Sequence, residues 1–188
     1  YRVFNITPKE TLAIAQELYT NAYISYPRTS SNQFPPLLNY KEILQGIGKQ
    51  KIYESLTKQL LSKQALKPNN GNKTDPAHPA IYPTGEIPSK LTEKERKIYD
   101  LIVKRTLATF ADKAKRETVI IETEIKKEPF VVKGSRTLEK GWHSFYEPYI
   151  KLEEVELPNL KKNDKIKIKK VYKLEKETQP PKRFTEAS

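Results

Sequence analysis

A tyrosine and an arginine two residues apart form the pair in this sequence that is best suited to chemistry. Tyr26 and Arg28 are separated by Pro27, and a proline disfavours helical backbone at the residue before it. In extended backbone, side chains two positions apart point to the same side. A guanidinium binds phosphate oxygens through two parallel hydrogen bonds, and a nearby cation favours the nucleophilic phenolate form of tyrosine. The pair is therefore suited to attack on a phosphodiester.

Hydroxyl side chains flank the pair on both sides. Ser25 precedes Tyr26, while Thr29 and Ser30 follow Arg28. Hydroxyls often donate hydrogen bonds to phosphate groups, and we interpret Ser25 and Thr29 as positioning groups rather than chemical ones. Taken alone, a tyrosine two residues before an arginine is a weak motif, because most such tyrosines pack in a core or lie on the surface.

The charge balance favours a polyanionic partner. Lys and Arg number 35 against 23 Asp and Glu, and the net charge of +12 is spread over the whole chain. Distributed positive charge is typical of proteins that bind nucleic acid, although a solvated surface with surplus lysine explains the charge equally well. No apolar run is long enough for a membrane span, and the absence of cysteine excludes disulfides, thiolate catalysis and cysteine zinc sites. With two histidines, a histidine-rich metal cluster is excluded as well.

The composition also bears on origin. The chain has no methionine and begins at Tyr1, so we expect an internal piece of a longer protein. Abundant Lys, Glu and Ile without Cys is typical of proteins from hot-living organisms, and an AT-rich genome gives much the same composition.

A helix is predicted immediately before the reactive pair. Residues 7–21 open with a Thr-x-x-Glu capping box and a proline at the first helical position. Apolar residues then recur at spacings of three and four, which predicts one buried face. That face comprises Leu12, Ala15, Leu18, Tyr19 and Ala22. An extended segment over 23–26 follows, and we assign Tyr19 and Tyr23 to the core.

Further helices are predicted in the first two thirds of the chain. Residues 40–65 suggest two short helices separated around Gly46 and Gly48. Residues 67–89 are rich in Pro, Asn and Gly, which is typical of a loop. A second capping box at residues 92–95 opens a helix that runs to about residue 111.

Beyond residue 112 the periodicity changes from helical to strand-like. Runs that favour strands occupy residues 118–123, 130–132 and 166–172. We therefore predict an α+β fold, with a mostly helical domain at residues 1–112 and a β-rich domain at residues 113–188.

Four ordered motifs resemble a known enzyme family. The segment 18–31, which includes Tyr-Ile-Ser-Tyr-Pro-Arg-Thr-Ser-Ser, closely resembles the active-site segment of type IA DNA topoisomerases. Three more segments resemble the family in the right order over nearly the whole chain. They are His-Pro-Ala-Ile-Tyr-Pro-Thr at 78–84, Gly141-Trp142 followed by residues 157–158 and 161–164, and residues 181–188. The residue sequence of the first motif is most similar to that of an archaeal branch of the family.

The resemblance implies a mechanism and roles for individual residues. Tyr26 would attack a phosphodiester of single-stranded DNA, forming a 5′-phosphotyrosyl intermediate and freeing a 3′ hydroxyl. After strand passage the hydroxyl would reverse the attack, so that supercoils relax without ATP. Arg28 would stabilise the charge of the transition state and His78 would hydrogen-bond near the scissile phosphate. Ser25, Thr29 and Ser30 would contact the DNA, whereas His143 is assigned a structural role.

The resemblance also implies what lies outside this chain. Mg²⁺ would be held by an acidic cluster in another domain, and no residue of this chain is assigned as a metal ligand. Partners would be DNA and the remaining domains of a cytoplasmic, nucleoid-associated enzyme, with no membrane. This chain would contain the nucleophile domain and an incomplete β-rich part of the topoisomerase arch, so we expect little or no relaxing activity from it alone.

The chain differs from the family motif at two positions, and three alternative functions remain open. The family usually has Asp where this chain has Ser30, and often Gly where it has Ala22. The same module could belong to an ATP-dependent reverse gyrase, or to a DNA-binding protein that has lost catalysis. A basic globular domain without nucleic-acid function is the third alternative, in which His78 is an ordinary loop histidine bonded to backbone.

Overall fold

The computed structural model describes residues 1–75, 77–181 and 183–184, and they form two compact units. The helical unit comprises Tyr1–Arg116 and Thr137–Leu152. The ribbon unit comprises Glu117–Arg136 and the described residues from Glu153 onward. Helices and strands both occur, which confirms the predicted α+β fold. The division into domains 1–112 and 113–188 stays a prediction.

The regular elements are five helices and two strands in the described residues. They are α1 (Pro8–Thr20), α2 (Tyr40–Gly48), α3 (Glu54–Leu61), α4 (Glu93–Phe110), β1 (Lys115–Ile125), β2 (Glu128–Glu139) and α5 (His143–Tyr146). Within the part of the chain that the structure describes, no helix combines the length and apolar composition needed to cross a bilayer.

Helices α1 and α4 begin at the predicted cap residues, but the reciprocal capping box forms at α4, whereas at α1 the Glu10 carboxylate pairs with Lys94 instead. The Glu10 N–H donates to the Thr7 hydroxyl at 3.2 Å, and Thr92 and Glu95 cap each other reciprocally. These contacts satisfy backbone N–H groups that have no partner inside the helix. The one-turn helix α5 carries no apolar periodicity long enough to be read from the sequence.

The helical unit has an apolar core around α4. Helices α1, α3 and α5 pack against α4, and α2 packs against α3. Side chains that are almost fully buried come from all four of the longer helices: Leu18, Leu44, Ile47, Leu60, Val103 and Leu107. Because core packing removes these side chains from water, it is the main stabilising contribution to this unit.

The predicted inner face of α1 needs two corrections. Ala15 and Leu18 are buried together with Ile14, but Tyr19 is 40% exposed and the assignment of Tyr19 to the core is wrong. Ala22 is exposed because the helix has already ended before it. Tyr23 is half-buried and packs against the core.

Two short helices form within residues 40–65, as predicted; they separate at residues 49–53, directly after Gly48, whereas Gly46 lies inside α2. Gly46 is required by packing rather than by a turn. A Cβ there would lie 2.4 Å from the carbonyl oxygen of Gly85, so only glycine permits this close backbone approach.

A partly buried carboxylate joins three segments of the helical unit. Asp100 on α4 accepts a hydrogen bond from the Tyr53 hydroxyl at 2.8 Å and a second from the Tyr149 hydroxyl. Lys104 pairs with the same carboxylate at 3.2 Å. The segments before α3 and after α5 are thereby tied to α4.

The ribbon unit is built on the hairpin of β1 and β2. Residues 118–123 and 130–132 lie in these strands, as predicted, and Lys126 and Lys127 form the turn with φ of 52° and 73°. Positive φ at both turn residues matches the right-handed twist of a tight hairpin. The predicted strand at 166–172 is wrong, because no strand forms there and the alternating apolar side chains are exposed.

The Gly-Trp motif joins the end of β2 to the segment that follows α4. Gly141 has φ of 48°, and a Cβ there would lie 2.5 Å from the Lys113 carbonyl oxygen. The next residue, Trp142, donates its N–H to the Asp112 carbonyl at 2.8 Å. Of the motif at 181–188, residues 182 and 185–188 lie outside the described residues.

Candidate active site around Tyr26

The end of α1 directs the chain into the candidate site. Ala22 N–H donates to the Tyr19 carbonyl and Tyr23 N–H to the Leu18 carbonyl, both at 2.9 Å. This pair of bonds is the Schellman arrangement, in which the residue after the cap adopts left-handed backbone. Ala22 has φ of 62°, which gives a physical reason why glycine suits this position.

The segment after α1 is extended, as predicted, and pairs with the loop at residues 82–84. Ile24 forms an antiparallel bridge with Pro83. Ser25 N–H donates to the Tyr82 carbonyl at 2.8 Å, and the Ser25 hydroxyl accepts the Tyr82 N–H at 2.9 Å. The hydroxyl of Ser25 therefore supports the backbone here, and its contact with DNA stays a prediction.

The Tyr26 ring lies between two other rings. The edge-on ring of Tyr19 has its centroid 5.3 Å away, and the His78 ring lies 4.6 Å away at an interplanar angle of 35°. Within the described residues the Tyr26 hydroxyl makes no hydrogen bond, and the residue is half-buried. The ring is thus held in place while its oxygen is left open to a reaction partner.

Arg28 is exposed, and its guanidinium forms no hydrogen bond or ion pair with the described part of the chain. Arginine stays charged at every accessible pH. A cation without an acidic partner two residues from Tyr26 is available to an anion such as a phosphodiester.

His78 is brought to Tyr26 by a loop that is bonded to the Tyr26 segment. The Thr29 hydroxyl donates to the His78 carbonyl at 3.0 Å and accepts the Ser31 N–H at 3.0 Å. The side chain of His78 is 41% exposed, so one face packs on Tyr26 while solvent reaches the rest. His143, by contrast, is buried against Trp142 in the helical core.

Asp75 is a site residue that our sequence analysis missed. Its carboxylate accepts hydrogen bonds from the Ala77 N–H at 2.9 Å and the His78 N–H at 3.1 Å. It also accepts from the Ser30 N–H at 3.4 Å and the Ser30 hydroxyl at 3.2 Å. These donors, the N–H groups of Ala77 and His78 foremost, lower the pKa of the Asp75 carboxyl.

A sequence signal for Asp75 existed in the Asp-Pro step three residues before His78. Aspartate before proline favours a turn in which the carboxylate binds backbone N–H groups further along. The partner across the fold, Ser30, is 45 residues away, and no local pattern predicts such a contact. The Thr29 and Ser30 hydroxyls are engaged within the protein, so their predicted contacts with DNA stay predictions.

The site contains no evident metal centre. Among the residues that the structure describes, no group of three His, Asp or Glu side chains lies close enough to hold a metal ion. Asp75 is the carboxylate bonded to this segment, and its oxygens are occupied by four donor contacts. The residues present therefore do not fit a bound Mg²⁺.

Comparison with known proteins gives the family of this chain. The family described as DNA topoisomerase matches residues 1–188. The chain is 51% identical to DNA topoisomerase 1 of Methanocaldococcus jannaschii and 45% identical to that of Pyrococcus horikoshii, in both cases over 100% of its length. It is 34% identical to human DNA topoisomerase 3-alpha over 99% of its length.

The chain spans only part of these relatives, namely 25% and 28% of the two archaeal proteins and 18% of the human one. The match nevertheless includes the Tyr26 segment, the His78 loop and the Gly-Trp motif, which are the features that the structure brings into ordered contacts. The chain belongs to the type IA DNA topoisomerase family.

Proposed function

We propose that this chain carries the nucleophile of a type IA DNA topoisomerase and acts within a longer polypeptide, with DNA as substrate. The observation that supports this most strongly is the state of Tyr26. Its ring is held between Tyr19 and His78. Among the described residues its hydroxyl has no hydrogen-bond partner, and the nearby Arg28 has no ion-pair partner. This arrangement suits a tyrosine that must accept a phosphoryl group.

In the proposed reaction the Tyr26 oxygen attacks a backbone phosphorus of single-stranded DNA. A bond forms between that oxygen and phosphorus, while the bond from phosphorus to the 3′ oxygen breaks. The phenol loses its proton, and the 3′ oxygen gains one and leaves as a hydroxyl. Because one phosphodiester replaces another, the hydroxyl reverses the step after strand passage without ATP.

Arg28 and His78 have distinct roles in this proposal. Arg28 stabilises the negative charge that builds up on the phosphate oxygens in the transition state, a kind of contribution whose loss lowers rates by about 100- to 1,000-fold. His78 hydrogen-bonds a neighbouring phosphate oxygen from the ring that rests on Tyr26. Its ring contact also restricts the orientation of the nucleophile.

We place the Mg²⁺ of the family outside this chain. The described residues provide no cluster for it, and none of the steps above is routed through the metal. For the same reason we propose that the isolated chain relaxes supercoiled DNA poorly or not at all.

Covalent trapping tests the proposal. A longer protein that contains this chain is mixed with Mg²⁺ and a single-stranded oligonucleotide labelled at its 3′ end, then quenched with detergent. We expect labelled protein from the native sequence and none from Tyr26→Phe, with DNA affinity retained. Arg28→Ala should reduce the rate of adduct formation strongly, and His78→Ala less so.

The control is Tyr53→Phe, which removes a tyrosine hydroxyl that is bonded to Asp100. Tyr53 lies outside the Tyr26 cluster, which we define as Tyr19, Tyr26, Arg28 and His78. Adduct formation in this control should match the native protein at temperatures where both are folded. Intact binding without any adduct in the native protein would instead support a DNA-binding module that has lost catalysis.

A further inference from the structure

One carboxylate fixes the relative positions of the Tyr26 segment and the His78 loop. Asp75 Oδ1 accepts the N–H groups of Ala77 and His78, and Oδ2 accepts both the N–H and the hydroxyl of Ser30. The first pair forms the turn of the loop that carries His78. The second pair reaches across 45 residues to the segment that carries Tyr26.

His78 is held from both sides of its backbone. Its N–H donates to Asp75 at 3.1 Å, and its carbonyl accepts the Thr29 hydroxyl at 3.0 Å. Both contacts come from groups bonded to the Tyr26 segment, so the His78 ring is set at a defined place over Tyr26. Without the Asp75 carboxylate, the Thr29 contact would be the one hydrogen bond left to the backbone of His78 itself among the described residues.

The contact between Asp75 and His78 runs through backbone rather than through the imidazole. The distance from Asp75 Oδ1 to His78 Nδ1 is 3.8 Å, which is longer than a hydrogen bond. The Asp75 side chain is 21% exposed, and its acceptors face protein donors. A role as a direct ligand of DNA phosphate is also unfavourable, because both groups are negatively charged.

We propose that Asp75 is a positioning residue for DNA cleavage, which acts through the backbone of His78 and through Ser30 to hold the His78 ring against the nucleophile. The inference rests on the proposed function of Tyr26. The inference goes beyond that function by naming Asp75 as the residue that holds the His78 loop and so sets the geometry around Tyr26.

Graded variants separate positioning from mere loop stability. Asp75→Ala removes all four contacts. Asp75→Asn retains one oxygen for the turn and loses the second acceptor, while Ser30→Ala removes only the hydroxyl contact. We expect adduct formation to slow by about 10- to 100-fold in Asp75→Ala, less in Asp75→Asn and least in Ser30→Ala, with the half-saturating oligonucleotide concentration nearly unchanged.

Asp112→Ala is the matched control. Asp112 is an exposed aspartate of the same unit whose side chain pairs with Lys63 at 2.8 Å, away from the contacts of the His78 loop. Its removal should leave the cleavage rate unchanged. An equal slowing in Asp112→Ala would show that any lost surface contact has the same effect, and would overturn the inference.

An NMR measurement on the 188-residue chain adds a readout independent of activity. The chain has two histidines, so the His78 ring signals are assigned by comparison with His78→Gln. The Tyr26 ring at 4.6 Å shifts those signals through its ring current. We expect that shift to shrink in Asp75→Ala and to persist in Asp112→Ala.

The outcomes are distinguishable. Slower cleavage in the graded order together with a reduced ring-current shift would support the inference. Native cleavage and an unchanged shift in Asp75→Ala would overturn it and leave the role of Tyr26 intact. No adduct from the native protein would overturn the proposed function itself, and with it the role of Asp75 in cleavage.

Discussion

The helical unit and the ribbon unit differ in how far their apolar side chains are buried. In the helical unit, residues such as Leu18, Val103 and Leu107 are almost completely buried. In the ribbon unit, Ile120, Phe130 and Val131 are more than half exposed, and no described residue of this unit belongs to the buried core. A two-stranded ribbon whose apolar side chains stay largely exposed is marginally stable by itself.

The difference in burial explains why the candidate reacting groups lie in the helical unit. Every residue of the Tyr26 cluster lies in the helical unit, where ring contacts and backbone hydrogen bonds rest on a packed core. Reacting groups must be held to within a fraction of an ångström, which needs rigid support. As far as its residues are described, the ribbon unit has no buried apolar core and carries none of these groups.

Truncating one buried leucine should produce the largest contrast between the units. Leu107→Ala leaves a cavity at a side chain that is 0% exposed and should lower the free energy of unfolding by about 2–5 kcal/mol. Val131→Ala, at a side chain that is 66% exposed, should change it by less than about 0.5 kcal/mol. Denaturant unfolding followed by the fluorescence of Trp142, the one tryptophan, measures both. Equal effects would mean that the core is not where we place it.

High pH should selectively weaken the helical unit. Burial, followed by the neighbouring Asp100 carboxylate, raises the pKa of Tyr53. Above about pH 10, Tyr53 therefore keeps its proton in the folded chain, whereas the unfolded chain loses it. The contribution of Tyr53 to the free energy of unfolding is complete below about pH 10 and is lost as the pH rises further. The free energy of unfolding should fall by up to about 1.4 kcal/mol per pH unit for this residue.

Tyr53→Phe provides the check on this pH dependence. The variant loses the hydrogen bond to Asp100 and about 0.5–1.5 kcal/mol near neutral pH, but its stability should decline less steeply in alkali. Tyr172→Phe, at an exposed tyrosine of the ribbon unit, should leave the curve unchanged. An alkaline slope that is identical in native protein and Tyr53→Phe would contradict the assignment.

The smallest expected effect is a stabilisation at the entrance to the site. Ala22 adopts left-handed backbone with φ of 62°, which costs a residue with a Cβ about 1–2 kcal/mol. Allowing for the greater freedom of glycine in the unfolded chain, Ala22→Gly should add about 0.5–1 kcal/mol to the free energy of unfolding. Lys126→Gly, at φ of 52° in the ribbon turn, should leave the Trp142-detected transition unchanged. A destabilised Ala22→Gly would show that this turn is not left-handed.

The sequence predicted local features of the fold well, because their causes are local. The caps at Thr7 and Thr92 follow from side chains three residues from their partners, and the extended segment before Pro27 follows from proline sterics. Gly46 was wrongly interpreted as a helix break, because the reason for a glycine there is not local. The backbone of Gly85, which is distant in sequence, approaches Gly46 too closely for any side chain.

The candidate site shows the same division between features with local and with distant causes. The sequence motifs identified Tyr26, Arg28 and His78, and the structure brings Tyr26 and His78 into ring contact. Tyr19 was assigned to the core because its spacing fits the helix face, yet it lies exposed against Tyr26. The link between Asp75 and Ser30 spans 45 residues, and only the folded chain reveals it.

Mapping the covalent adduct tests the central claim most directly. The chain has 11 tyrosines, and the tryptic peptide 10–28 contains Tyr19, Tyr23 and Tyr26, so fragment-ion mass spectrometry is needed to locate the nucleotide. The account predicts a phosphotyrosyl bond on Tyr26, with Tyr19 and Tyr23 unmodified. An adduct on any other residue, persisting in Tyr26→Phe, would contradict it.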